Sequence, residues 1–576
     1  MARWSEKAGI VPLACRCLTV AVAIGALCGP LVARQRGQGP GLRGTVTIDR
    51  GEVRAFRVRA TDRERRIAYT VFTQKGQYQF HHLPAGSYDV RVVEEDVASA
   101  AQRVEVRSGS TLTVDLKATA TRAQSDVELV DFDALYPPGP ARDVMVRSCF
   151  PCHSSAGKGH LGTATSAWHR KGGRTDAQWR ATVERMFKRP GGFPLLTDAM
   201  VRPAEKESII RYLTANFGPG SKTRDLKLDP LVRDERALAQ AVYIQYELPP
   251  GYNIHDAFPS QVKPGLVWLS GTLGAVVGVD TTNPAMTTRT RAWRIPAPAD
   301  KEFVHGIIED RGLVYWTEIA GNHIGVLNPD TGELTRHPVP TKGAWQHTLR
   351  ADSKGNVWFS NFTSASQLGK FEPGGRTVRE YDLLEKWKVT GWNGYGITVD
   401  RRDRVWSVGL TSPAIGMYDS VNDRWATFPI PSPARRLTVD AKGMVWACQF
   451  FGNALSRIDP DTGKVTEFPL PLKYGSPYEV WPDAADNLWV TNDVYNALVK
   501  FDQTTARYTY VPYPDLEAHT PKLETDATGT LWFGMRIGLE SDEGYSAGLS
   551  GATAQPAGAT APRWKLTAFQ ERGNAP

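Results

Sequence analysis

The chain has little cysteine, and its distribution matters more than its number. Six are present in 576 residues, and Cys15, Cys17 and Cys28 crowd the N-terminus. Cys149, Cys152 and Cys448 lie beyond it, too few for a disulfide scaffold in an exported chain. Long hydrophobic runs are also missing. The longest, from Cys17 to Cys28, falls short of the roughly 20 residues of a comfortable bilayer span, so no transmembrane domain is expected in the mature chain. No block of one charge sign occurs either. The net charge of +8 is spread among alternating Lys, Arg, Asp and Glu, a mixed solvated surface that excludes a nucleic-acid role.

What is present begins with Arg3, Lys7 and Arg16 flanking that apolar run, with Leu31-Val32-Ala33 offering a small-residue cleavage site. This reads as a secretory signal peptide over residues 1–33, with an uncleaved anchor as the rival reading. Either predicts export, to a periplasm or beyond. Length predicts roughly three or four domains. The 17 Trp, 53 Gly and 39 Pro suit many short strands joined by turns. The expected fold class is mainly β and multidomain: a small β-sandwich, an all-α unit and a β-propeller.

Residues 41–118 alternate apolar and polar side chains, with Gly and Pro at the breaks, the pattern of a small sandwich. Gly76-Gln77-Tyr78-Gln79-Phe80 followed by Leu83-Pro84-Ala85-Gly86-Ser87-Tyr88 resembles the carboxypeptidase regulatory-like domain, which implies a structural or adhesive part without chemistry. His81 and His82 are adjacent and point to opposite faces of a strand, so they do not share a metal.

Helical periodicity returns over residues 127–220. A helix is predicted to run through ARDVMVRSC, a second to start near Thr175 and Asp176, and a third to stop at Gly218 and Pro219. The first leads into Cys149-Phe150-Pro151-Cys152-His153. This C-x-x-C-H spacing sets two thiols about one helical turn apart, suited to the two vinyl groups of haem, with an adjoining imidazole for the iron. A zinc site needs a second pair of ligands at suitable spacing, and no other Cys lies in this unit; no βαβ pattern surrounds the motif as a thioredoxin-like pair requires. One covalent haem c is predicted on Cys149 and Cys152, with His153 as proximal ligand. The unit resembles a class I cytochrome c domain. That resemblance implies a Met as the second axial ligand: Met186 is favoured, Met200 is the alternative, and His160 and His169 are further candidates.

Residues 235–576 are a repeat array. GLVWLSG, GLVYWTE, GNVWFSN, DRVWSVG, GMVWACQ, DNLWVTN and GTLWFGM carry Trp268, Tyr315, Trp358, Trp406, Trp446, Trp489 and Trp532, spaced by 47, 43, 48, 40, 43 and 43 residues. Such a period signals a propeller, here of seven blades. Tyr246-Glu247-Leu248-Pro249 is expected to close the ring by completing the last blade. His255, His305, His347 and His519 stand ten to thirteen residues before a repeat aromatic, where innermost strands begin, and are predicted to face one opening. Cys448 is expected to be core. The array resembles the streptogramin (virginiamycin B) lyases. That resemblance implies that His305 with Glu318, flanked by His255 and His347, opens a cyclic ester with an assisting metal. Magnesium and calcium both stay open for it. Gly271 and Asn361 stand where neighbouring blades would carry the Glu, which departs from the family pattern.

The function these features favour is an exported c-type haem protein that transfers electrons. A redox partner protein or a small-molecule electron donor would be its counterpart, bound by the propeller. The alternatives are a metal-assisted carbon–oxygen lyase with an accessory haem domain, and a surface binding or sensor protein.

Overall fold

A computed structural model describes residues 41–121, 128–153, 173–188, 193–222, 224–249, 254–271, 274–296, 304–516, 518–537 and 563–572. The N-terminal segment read as a signal peptide lies outside them, as do His160 and His169. The protein is mainly β, with few helices. No described helix is long and apolar enough to cross a membrane.

The first unit is two sheets with Leu42, Val46, Phe56, Val58, Tyr78, Tyr88 and Val90 packed between them. Alternation makes this possible, because one side of each strand is apolar. Tyr78 and Tyr88 keep their rings in that core and donate their hydroxyls to the carbonyls of Val114 and Pro84, both at 2.7 Å. His81 and His82 are exposed.

One of these sheets does not end at its edge. Ile67–Phe72 pairs antiparallel with Ala241–Glu247, which pairs on its other side with Arg563–Glu571. That strand pairs in turn with Leu531–Ile537. The sandwich sheet therefore continues into the last of seven blade-like sheets. The other six are four-stranded antiparallel sheets beginning at Ile254, Val304, Gln346, Gly394, Leu437 and Pro477. Their innermost strands touch in sequence, the first also touches Leu531–Ile537 of the seventh sheet, and Trp489 and Leu498 of the sixth share a core with Ala518 and Phe569 of the seventh, so the array closes into a ring.

The repeat aromatics act as a latch. The indole N–H groups of Trp358, Trp406, Trp446, Trp489 and Trp532 donate to Asp352, Asp400, Asp440, Asp483 and Asp526, each six residues earlier, at 2.7–2.9 Å. The same carboxylates cap the intervening turn, as where Asp440 accepts the N–H groups of Lys442 and Met444 at 2.9 Å. The latch is missing from the first two blades, where Val262 and Glu309 occupy the Asp position. Cys448 is fully buried in an apolar cluster with Trp446 and Val490.

The middle unit has a short helix α1 (Phe132–Leu135), then α2 (Pro140–Ser148), α3 (Asp176–Phe187) and α4 (Pro203–Phe217). Thr175 and Gln178 form a capping box at the start of α3. Leu135, Tyr136, Met145, Phe150, Trp179, Ile210 and Phe217 form the core, which continues into the propeller residues Val494 and Tyr495. Phe150 packs on Phe451 at 5.1 Å and Phe132 stacks on Tyr474 at 5.7 Å. The helices thus sit on the propeller face where innermost strands begin.

Buried ions weld sandwich to ring. Glu94 binds Arg57 at 2.9 Å and Arg233 at 2.8 Å, and Arg57 also donates to the carbonyl of Tyr513 at 2.8 Å. Burial opposes the Glu94 charge, yet these two guanidinium groups hold its pKa down to about 2. Its stabilisation is therefore present above the ordinary Glu range and is lost as pH falls through about 4.5 to 2. Glu94→Gln leaves the buried Arg57 and the partly exposed Arg233 without their anion and is expected to cost about 3–5 kcal/mol at pH 7. Urea unfolding checks this: the deficit relative to wild type should shrink towards pH 2, while the exposed Glu64→Gln shows none at either pH.

Candidate functional site

The innermost strands carry an irregularity that builds the site. In the first blade Ile254 faces Gly271 and Ala257 faces Leu269, so His255 and Asp256 together oppose one residue. Such a bulge breaks the alternation and turns both side chains inward. The same skip occurs at His305-Gly306, His347-Thr348, Tyr395-Gly396 and Tyr478-Glu479. In the fifth blade Arg435 and Arg436 both bond Cys448 through the backbone, at 3.0 and 2.9 Å. A hydroxyl two residues after the repeat aromatic satisfies the displaced backbone. Ser270, Thr317, Ser360 and Thr491 accept from the N–H groups of Asp256, Gly306, Thr348 and Glu479 at 2.7–3.3 Å. Thr317 and Ser360 then donate to the carbonyls of His347 and Tyr395 in the next blade, at 2.8 and 2.7 Å.

Seven side chains therefore line one level of the central channel: His255, His305, His347, Tyr395, Arg435, Tyr478 and His519, all buried. Neighbouring rings touch, with centroids 3.8 Å apart for His255–His305, 4.0 Å for His305–His347 and 3.9 Å for His347–Tyr395. Tyr395 and Tyr478 meet hydroxyl to hydroxyl. Arg435 lies over Phe450 at 3.5 Å and Tyr478 at 4.6 Å. A second level holds Asp256, Arg436, Glu479 and Lys522, also buried. Asp256 Oδ2, Glu479 Oε2 and all three guanidinium nitrogens of Arg436 lack a hydrogen-bond partner among the described residues. Buried polar atoms without a protein partner call for water, an ion or a ligand beside them.

Burial governs the charges. It pushes His255 and His347 well below the usual histidine range and His305 down to about 3, so these imidazoles are neutral. Burial opposes ionisation of Asp256, but Lys522 and Arg436 hold its pKa below the usual value. Burial raises Glu479 to about 8 despite Arg436 and Arg350, which makes it a proton carrier in the working range.

The C-x-x-C-H turn sits against this ring. Cys149 caps α2, and both Cys152 and His153 donate their N–H groups to its carbonyl, at 3.0 and 2.8 Å. Cys152 packs on Tyr395, Leu410, Phe450 and Tyr478. Arg435 donates to the carbonyl of Cys152 at 2.6 Å and of Pro151 at 3.4 Å. Both cysteines are unpaired and half-buried. Burial pushes Cys149 up to about 12 and Cys152 up to about 11, and lowers His153 to about 4. These are thiols and a neutral imidazole, unlike the lowered thiolate of a dithiol oxidoreductase. Met186 and Met200 both pack into the helical core. Met200 also lines a cleft of about 680 Å³ between the helices and the propeller, with Val146, Ser148, Gly391, Pro433 and Phe451.

Of the residues predicted in the propeller, His255, His305 and His347 converge, and His519 joins them on the same level. Glu318 does not share their surroundings. Its buried carboxylate accepts from Arg336 at 2.6–3.1 Å and from the Trp316 indole at 3.1 Å. Sequence reasoning missed Tyr395, Arg435 and Tyr478. All three stand eleven residues before their repeat aromatic, so the repeat offset alone identifies them once the search is not confined to histidine.

Residues 41–119 match the carboxypeptidase regulatory-like domain. That assignment covers the sandwich alone. No curated protein matches the chain. Among solved structures, the streptogramin B lyase structure is 18% identical, covers 58% of this chain and 99% of its own, and has a TM-score of 0.47. Selenomethionine-substituted virginiamycin B lyase from Staphylococcus aureus is 18% identical over 57% and 99%, with a TM-score of 0.46. The extracellular domain of a one component system of B. thetaiotaomicron is 13% identical over 50% and 38%, with a TM-score of 0.40. Similarities this distant carry nothing about chemistry.

Glu479 offers a direct check on the channel electrostatics. The folded protein holds its proton up to about pH 8, so its ionisation costs stability increasingly between about pH 4.5 and 8. Glu479→Gln removes that cost. Its thermal midpoint relative to wild type should rise between pH 5 and pH 9; a pH-independent difference contradicts the assignment.

Proposed function

We propose that this chain is an exported c-type haem protein with electron transfer activity, and that its propeller channel binds the electron donor or redox partner. The observation that carries this reading is the contact between the two parts. The C-x-x-C-H turn lies on the channel ring, tied to it by Arg435 at 2.6 Å from the carbonyl of Cys152.

The residues present fit a covalent haem. Two neutral thiols lie one turn apart beside a neutral imidazole, at the end of a helix and next to an apolar core. Cys149 and Cys152 would hold the porphyrin, and His153 with Met186 or Met200 would ligate its iron. When bound, the haem supplies a one-electron couple at the channel mouth. The chain's own side chains do the rest. Arg435 fixes the turn and brings a positive charge beside it. Tyr395, Phe450 and Tyr478 fill the space between turn and channel and keep water from it. Glu479 and the neutral histidines accept or deliver the protons of a substrate whose oxidation releases them.

A metal-assisted carbon–oxygen lyase is the second reading, favoured by the convergence of His255, Asp256 and His305. The binding of Glu318 by Arg336 weighs against the role that the lyase resemblance implies for that carboxylate.

Two measurements test the leading reading. Protein matured in a host able to attach haem c should keep its pigment through acidic acetone, and Cys149→Ala with Cys152→Ala should lose it. Arg435→Gln should keep the pigment but lower its midpoint potential, by on the order of tens of millivolts, because a positive charge beside the iron favours the reduced state. Pigment that extracts, or a chain without any, overturns the reading.

A further inference from the structure

His255 and Asp256 are neighbours in sequence, and on a regular strand their side chains would point apart. The bulge between Ile254 and Ala257 turns both into the channel. His305 reaches the same point from the next blade, with its ring 3.8 Å from that of His255. One donor atom from each of the three lies within 4.8 Å of the others, and all three are buried. No other such cluster of three His, Cys, Asp or Glu occurs among the described residues.

The donors are poised for a ligand. His255 Nδ1 is 2.7 Å from Asp256 Oδ1. Asp256 Oδ2 is buried and has no hydrogen-bond partner among the described residues. The cations nearest Asp256, Lys522 at 3.7 Å and Arg436 at 3.8 Å, stop short of hydrogen-bonding distance. His305 Nδ1 faces the carbonyl of His347 at 3.2 Å. A carbonyl only accepts, so this contact puts the proton on Nδ1, the tautomer in which Nε2 is the basic, metal-binding nitrogen. A backbone carbonyl behind the ring is also the usual means of orienting a metal-bound histidine.

We infer that His255, Asp256 and His305 bind one divalent transition metal inside the propeller channel. Two imidazoles with one carboxylate suit iron, cobalt, zinc or copper. Magnesium and calcium take oxygen donors instead, so this trio does not serve them. The site is independent of the haem reading, because it uses no residue of the C-x-x-C-H turn.

Cobalt(II) is the probe, since haem iron does not contribute to a cobalt count. Tag-free, haem-loaded full-length protein is stripped with chelator, then dialysed against cobalt(II) and analysed for metal. The expected result is one cobalt per chain, removable by chelator, with a visible absorption band of a nitrogen- and oxygen-ligated ion. His305→Ala and Asp256→Asn should each weaken binding at least about tenfold. His337→Ala, on the outermost strand of the second blade, should not. Should either channel variant fail to fold, the proton NMR spectrum of the wild-type cobalt adduct decides, since two ligating histidines give paramagnetically shifted ring signals. Absence of stoichiometric cobalt, of those signals, or of any difference between the channel variants and His337→Ala overturns the inference. Repeating the titration on Cys149→Ala/Cys152→Ala separates failure of this site from failure of the haem assignment.

Discussion

Strand Ala241–Glu247 hydrogen-bonds on one side to Arg563–Glu571 and on the other to Ile67–Phe72, and both the ring and its union with the sandwich depend on it. Without it the seventh blade lacks its outer strand, and the sandwich sheet ends in an open edge. With it, the chain's early and late segments are fastened in one sheet. The innermost strands are then forced to converge on one axis. Convergence, more than any single residue, creates the site. Positions that are equivalent in the repeat and far apart in sequence become neighbours at contact distance.

The ring so formed is costly to build. It gathers Arg435, Arg436, Asp256, Glu479 and Lys522 into a space from which water is largely excluded. Buried charges persist only when paired, and here the pairing is loose: Arg436 stands 3.8 Å from Asp256, and Glu479, 4.0 Å from Arg436, keeps its proton to about pH 8. The sandwich–propeller junction is the contrast, with Glu94 tightly gripped by Arg57 and Arg233. The junction uses its ions to fix geometry. The channel leaves its own ions with capacity to bind.

The helical unit adds a second chemical element at the same place. Its motif turn is docked on the ring through Arg435 and through the apolar contact of Cys152 with Tyr395 and Phe450. The two cysteines of that turn and the channel side chains therefore share one neighbourhood.

Much of this was legible in residue order. The aromatics at a period of 40 to 48 residues mark the blades, and in five of the seven the indole is fastened to the Asp of the same turn. The spacing of Cys149–His153 raises the haem expectation, and the structure adds where that turn sits, against Arg435 of the ring. The histidines were also legible, since strand beginnings fall at a fixed offset from the aromatics. Three things were not. Tyr395, Arg435 and Tyr478 carry no shared residue type, so only the common axis shows them to be equivalent to the histidines. Asp256 was hidden because alternation assigns it to the face opposite His255, and the bulge overrides alternation. Glu318 looked available, but Arg336, eighteen residues away on another strand, takes its carboxylate. Local periodicity and covalent spacing are properties of the chain and can be read from it. Which side chains meet across blades, and which charges are already matched, depends on ring closure, and only the tertiary structure decides that.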